Sequence, residues 1–264
     1  MNKLNSEISQ YIKKLAEISN NGNHIQSEMY LEHGIYRGLR DLNGNGVPTG
    51  LTEISRIKAK ETGADGNTVP CDGELFYRGY NIRDLVSGFL SDNRFGFEET
   101  VYLLLFSRLP SKTELAEFKT ALAKYRTLPD DFVNNSILKN PGRDMMNILS
   151  RSVLALYAYD DNPDDISVAN VMRQSLQLIS VFPLLAVYGF HSFRHYHKGK
   201  SLYIHRPDEN LSSAENILHM IRENSKFTPE EARILDLALL LHAEHGGGNN
   251  SAFTCRVLTS SGTD

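Results

Sequence analysis

The chain has 264 residues, and its 28 Lys plus Arg against 32 Asp plus Glu leave a formal charge of −4, which excludes the broad basic field that nucleic-acid binding needs. That length is enough for one large domain or two small ones around a sizeable core. Cys71 and Cys255 are far apart and outside any C-x-x-C pair; they are too few for a disulfide framework or a zinc ribbon and fit a reducing cytoplasm.

The first segment mixes charged and apolar residues with no continuous apolar stretch, and Glu7 and Glu17 argue against a secretory or transit peptide. Leu4, Ile8, Ile12, Leu15 and Ile18 recur at helical spacing, so an amphipathic helix is expected over 2–19. The Asn- and Gly-rich stretches SNNGNH and DLNGNGVPTG read as irregular chain, with a short helix or extended arm between them. Residues 1–50 thus form an amino-terminal helix and irregular arm, and 51–264 a helical domain.

Between Leu51 and Tyr80 the pattern alternates, which predicts a small β-hairpin turning through Cys71-Asp72-Gly73-Glu74. The helical period then returns, predicting helices near 81–90, 97–107, 111–126, 142–158, 165–194, 213–224, 229–245 and 250–260. Ser111 with Glu114 and Ser212 with Glu215 are capping boxes, and Thr228-Pro229-Glu230-Glu231 places proline at a first helical position, where its missing N–H costs nothing. Pro183 is expected to kink or break the long 165–194 helix. The fold class is all-α with one β-hairpin. Apolar runs such as Leu237–Leu241 fall short of the ~20 residues a membrane span needs, so no membrane role is expected.

Chemistry concentrates in LHAEHGGGNNSAFT, residues 241–254. His242 and His245 leave the end of an apolar helix, Gly246, Gly247 and Gly248 let the chain turn, and Asn249, Asn250 and Ser251 start the next helix, where free amides and the dipole favour an anion. A small carboxylate substrate suits that arrangement. Against it stands the reading of any single His as a hydrogen-bonded core residue. A metal reading through His242, Glu244 and His245 matches neither H-E-x-x-H nor H-x-x-E-H. His191, His195 and His197 form a second cluster, read as the carbonyl end of a helix rather than a site.

The segment L-H-A-E-H-G-G-G-N-N-S (241–251) resembles the citrate synthase pattern L-H-x-D-H-x-x-x-N-x-S, with Glu244 where the family commonly has Asp. LFYRGYNIRDLV (75–86) resembles the family's Y-R-G-Y-x-I-x-D-L element, residues 97–118 resemble the stretch that follows it, and RPDENLSSAENILHM (206–220) resembles P-x-x-x-L-S-x-A-x-N-x-L-x-M. The resemblance implies the amino-terminal portion, incomplete at its carboxyl end, of the helical large domain of a homodimeric, cytoplasmic enzyme of the tricarboxylic acid cycle. That enzyme is an acyltransferase condensing acetyl-CoA, a co-substrate rather than a cofactor, with oxaloacetate. It further implies that His245 hydrogen-bonds oxaloacetate, that His242 and Asn249 share the pocket, and that Ser251 and Glu244 support it. The family's P-L-H-G and G-x-G-H histidines and its late Asp are absent, so the catalytic residues are expected after Asp264. The chain alone is expected to be inactive. Competing readings are a 2-methylcitrate synthase and a non-catalytic helical binding module.

Overall fold

The computed structural model describes residues 2–21, 27–36, 38–41, 44, 46, 51–64, 66–246 and 249–260. The chain divides into two compact units, Met1–Gly50 and Leu51–Asp264. The first contains α1 (Asn2–Asn21) and α2 (Ser27–Glu32); Ile12, Leu15 and Ile18, three of the five residues of the expected apolar stripe, are exposed on α1. Residues 19–21 continue α1, and most of the two Asn/Gly-rich stretches lies outside the described residues.

The second unit opens with a hairpin of β1 (Ser55–Thr62) and β2 (Thr68–Tyr77), followed by a short β3 (Tyr80–Asn81). The turn between the long strands is at residues 63–67, closed by the Gly63 amide on the Asn67 carbonyl at 2.8 Å, and not at Cys71–Glu74. Those residues lie inside β2, where the register slips: Lys58 faces Glu74 and Lys60 faces Pro70, leaving Cys71, Asp72 and Gly73 opposite Ala59. The Asp-Gly pair therefore makes a bulge, the other structure its backbone freedom permits.

Helices follow: α3 (Ile82–Ser91), α4 (Phe97–Phe106), α5 (Lys112–Tyr125), a π-helical segment (Val133–Leu138), α6 (Met145–Leu156), α7 (Val168–Lys198), α8 (Ser213–Ile221), α9 (Pro229–Leu241) and α10 (Asn250–Ser260). Both halves of the capping boxes at Ser111/Glu114 and Ser212/Glu215 form, as does a third at Thr228/Glu231 behind Pro229. Helix α7 runs unbroken through Pro183. Its Val181, Leu184, Leu185 and Val187 are buried among Ile148, Leu149, Phe132 and Met220, and that packing outweighs the missing backbone donor. By length and composition α7 could cross a membrane, but half of its most apolar window is buried inside this core.

Gly189 and His191 also serve this core. A Cβ on Gly189 would lie 2.8 Å from Ile148, so the glycine sets the close approach of α6 and α7. His191 is buried, its Nε2 is 3.0 Å from the Met220 carbonyl, and burial holds its imidazole below the usual range. His195 bonds the Lys200 carbonyl past the helix end.

A second core, of Tyr77, Ile82, Leu85, Phe89, Leu103 and Leu240, joins the hairpin to α3, α4 and α9. Two helix starts within this unit are held by a carboxylate of another helix. Gly96 precedes α4 and cannot carry a capping side chain, because a Cβ there would overlap the Phe89 ring. Instead Asp236 of α9, 2% exposed, accepts from the Gly96 and Phe97 amides at 2.7 and 3.1 Å. Glu98 of α4 in turn accepts from the first amide of α8, that of Ser213, at 2.8 Å.

Burial raises the Asp236 carboxyl from 3.8 to about 6, outweighing the two amides that favour its charge, with Glu98 adding repulsion. A folded value above the unfolded one means that the native state binds more protons between the two. This contribution to stability is therefore full below about pH 4 and is lost as pH rises through 6. Measured by denaturant unfolding, wild type should gain stability relative to Asp236→Asn as pH falls from 7 to 4.5, by at most about 3 kcal/mol; a constant difference would place the titration elsewhere.

Candidate functional site

The predicted 229–245 helix ends four residues early. Leu241 is its last residue and His242 its C-cap, so the two histidines lie on the exit turn rather than on one helical face. The His242 ring returns to its own helix, with Nδ1 2.7 Å from the Ala238 carbonyl. A carbonyl only accepts, so Nδ1 carries the proton and Nε2 presents a lone pair to solvent.

His245 has the same tautomer but engages its other nitrogen. The Asn249 Oδ1 accepts from the Ser251 and Ala252 amides at 2.8 and 3.1 Å, which fixes the direction of its amide. The Asn249 Nδ2 then faces His245 Nε2 at 2.9 Å and must donate to it. His245 Nε2 is the acceptor, and the proton sits on Nδ1, a donor on an exposed ring. Asn249 thus does two jobs: it caps α10 and it orients the imidazole.

This geometry corrects one expectation. The Ser251 and Ala252 amides are engaged by Asn249 and do not wait for an anion. The donor offered at this end of the molecule is His245. Ser251 is exposed and gives its amide to the cap. Glu244 folds its longer side chain onto its own turn, Oε1 accepting from the His245 and Gly246 amides at 2.9 and 2.7 Å. Gly246 adopts φ +106°, which only glycine takes up readily; Gly247 and Gly248 lie outside the described residues.

Tyr77, which sequence reasoning did not single out, supports the turn from the far side. Its buried hydroxyl lies 2.9 Å from the Leu240 carbonyl, 3.0 Å from the Glu244 carbonyl and 3.3 Å from the Glu244 amide. Asp236 was also missed, although a lone acid in the apolar run ILDLALLL was the available signal. Among the described residues no three His, Cys, Asp or Glu side chains converge as a metal site would require. A cavity of about 740 Å³ bounded by Arg126, Asp131, Leu184, Tyr188 and Arg206 has none of the predicted site residues in its walls.

A family model described as the C-terminal domain of citrate synthase matches residues 41–264. The chain belongs to the citrate synthase family. It is 33% identical over 218 residues to the citrate synthase of Deinococcus radiodurans, covering 83% of this chain and 53% of that protein. It is 28% identical over 225 residues to 2-methylcitrate synthase 2 of Corynebacterium glutamicum, covering 83% of this chain and 52% of that protein. Among solved structures, the citrate synthase of Pyrobaculum aerophilum superimposes with a TM-score of 0.66 at 27% identity, over 86% of this chain and 51% of that one. The chain therefore spans about half the length of the relatives it matches, and the helical fold with its small sheet is the family's.

The tautomer assignment is open to a direct check. Asn249→Asp keeps the cap on the Ser251 and Ala252 amides but replaces the donor facing His245 with an acceptor, so the His245 proton should move to Nε2. Long-range ¹H–¹⁵N imidazole spectra should show the two nitrogens exchanging roles; an unchanged spectrum would mean that Asn249 does not set the tautomer.

Proposed function

We propose that this chain is the part of a citrate synthase that precedes the family's acid/base motifs, and that its 241–251 turn is one wall of an oxaloacetate pocket. The observation carrying this reading is the Nδ1–H of His245, held outward by Asn249 in the segment that matches the family's pattern. Oxaloacetate offers only acceptors, its keto and carboxylate oxygens, and a fixed exposed donor beside a helix N-terminus suits such a group. His242 offers a lone pair instead, so it contributes to the pocket only when protonated or through its packing. Asn249 acts through His245, and Glu244 and Ser251 through the backbone.

The parent enzyme, on this reading, joins the acetyl group of acetyl-CoA to oxaloacetate in the cytoplasm. Removing a proton from a thioester methyl needs a base and a donor for the enolate oxygen, both within hydrogen-bond reach of the substrate. The motifs that supply them in the family do not occur in this sequence, and the chain alone is expected to bind weakly without turnover. A 2-methylcitrate synthase remains the second reading, supported by the 28% identical relative, because one methylene on the acyl group changes discrimination by only about 1–3 kcal/mol.

Oxaloacetate titrated calorimetrically into this chain should give weak binding that His245→Ala abolishes and His242→Ala only reduces, with no citrate formed from acetyl-CoA. Citrate formation by the purified chain would end the half-pocket reading, and no binding by any variant would favour a helical module without this ligand.

A homodimer is part of the same proposal. Met146 and Leu154 lie two helical turns apart on α6 and are 69% and 75% exposed, with Tyr157 exposed just beyond. An apolar row of this kind fits a second copy packed through α6. Leu154→Glu should shift the sedimentation of the protein from dimer to monomer without changing its circular dichroism; a variant that stays dimeric would put the contact elsewhere, and a monomeric wild type would end the dimer proposal.

A further inference from the structure

We infer that Tyr77 is a positioning residue for His245: its hydroxyl, delivered from the end of β2, fixes the turn on which both site histidines stand. The functional half of this inference rests on the oxaloacetate reading above. A phenol has one proton and two lone pairs. Here the proton is shared between the carbonyls of Leu240 and Glu244, while the Glu244 amide donates to the oxygen. The final carbonyls of a helix have no intrahelical partner, and the exit from α9 runs through His242 to a Gly246 in a conformation that no other residue takes up readily. One hydroxyl therefore closes the end of α9 and pins the residue immediately before His245.

The hydroxyl can do this because its own position is determined independently. Tyr77 is 0% exposed, its ring packed with Leu85, Phe89, Leu103 and Leu240. The next residue, Arg78, takes the left-handed region at φ 47° and gives its guanidinium to the Leu104 carbonyl at 2.8 and 3.1 Å, while its amide bonds the Ile54 carbonyl. The strand end is thus clamped to α4 and to the start of the hairpin. Burial keeps the phenol protonated well above neutral pH, so the donor persists. Three constraints act in series on one imidazole: Tyr77 places the backbone, Glu244 closes the turn, and Asn249 selects the tautomer.

A structural tyrosine with no part in positioning would behave differently from this one, and the protein contains a fair control. Tyr188 is also buried, in the other core, and its hydroxyl donates to the His205 carbonyl at 3.0 Å. Tyr77→Phe and Tyr188→Phe each remove one buried hydroxyl and keep the ring, so both should lower Tm modestly.

Only Tyr77→Phe should speed hydrogen exchange at the Glu244 amide, by about tenfold, change the His245 imidazole spectrum, and weaken oxaloacetate binding about tenfold at temperatures well below unfolding. Unchanged Glu244 exchange in Tyr77→Phe overturns the inference whether or not the ligand binds, as does an equal loss of affinity in the two variants. If wild type does not bind oxaloacetate while Tyr77→Phe still releases Glu244, the oxaloacetate reading fails and the hold of Tyr77 on the turn stands.

Discussion

Two buried carboxylates close helix starts from other helices, one in place of a cap and one beside it, and the arrangement of the helical unit follows from them. Asp236 reaches from α9 to the first amides of α4, and Glu98 reaches from α4 to the first amide of α8. Each orphan amide left unpaired in a dry interior would cost about 1–3 kcal/mol, so the three helices hold one another in a single relative placement. Arg126 extends the chain of contacts, its buried guanidinium donating to the Leu211 carbonyl and to the Ser213 hydroxyl beside Glu98. The consequence reaches the site, because Asp236 precedes the end of α9 by five residues, about 7.5 Å along the axis. Sliding or rotating α9 to move its histidines would uncap α4.

The packing around Gly96 explains why the cap is borrowed. An ordinary N-cap would be Ser, Thr, Asp or Asn, but the Phe89 ring occupies the space its Cβ needs. Core volume and capping compete for one position; the aromatic ring takes it, and a carboxylate from 140 residues away supplies the hydrogen bonds. The cost appears in Asp236 itself, whose charge is hard to sustain in that setting. The site inherits rigidity from a group that is less than comfortable at neutral pH.

These interactions separate what the sequence reveals from what it conceals. Capping boxes are local and chemical, and those at Ser111 and Ser212 form as their spacing predicts. Helical periodicity carried the helix-rich architecture and the limits of α10. Cys71-Asp72-Gly73-Glu74 has turn chemistry, but a bulge uses the same backbone freedom, and pairing of β1 with β2 selects it. Pro183 is a breaker only where packing does not oppose it. The end of α9 was placed too late because His242, Ala243, Glu244 and His245 are compatible with helix, and Tyr77, which holds the turn after Leu241, is 163 residues from the first carbonyl it binds. The identity of the site histidines was legible, through their place in a segment that resembles the family's pattern. Their tautomers were not, because both depend on where the chain comes to rest.

Those tautomers also bear on why a half-pocket of this kind would recognise without reacting. His242 spends its Nδ1–H on the Ala238 carbonyl, and His245 spends its Nε2 lone pair on Asn249. What is left facing outward is one lone pair and one N–H on separate rings of an exposed turn. Of the two, only the donor can orient a keto acid, whose oxygens all accept. In water, however, the same donor stabilises developing negative charge far less than it would in a closed, low-dielectric site. The preorganisation supplied by Tyr77, Glu244 and Asn249 fixes direction, whereas catalysis also requires exclusion of water. On the proposed reading, that requirement falls to parts of the parent enzyme beyond this turn, and the rigidity built into the turn is what would let those parts close on a wall already in place.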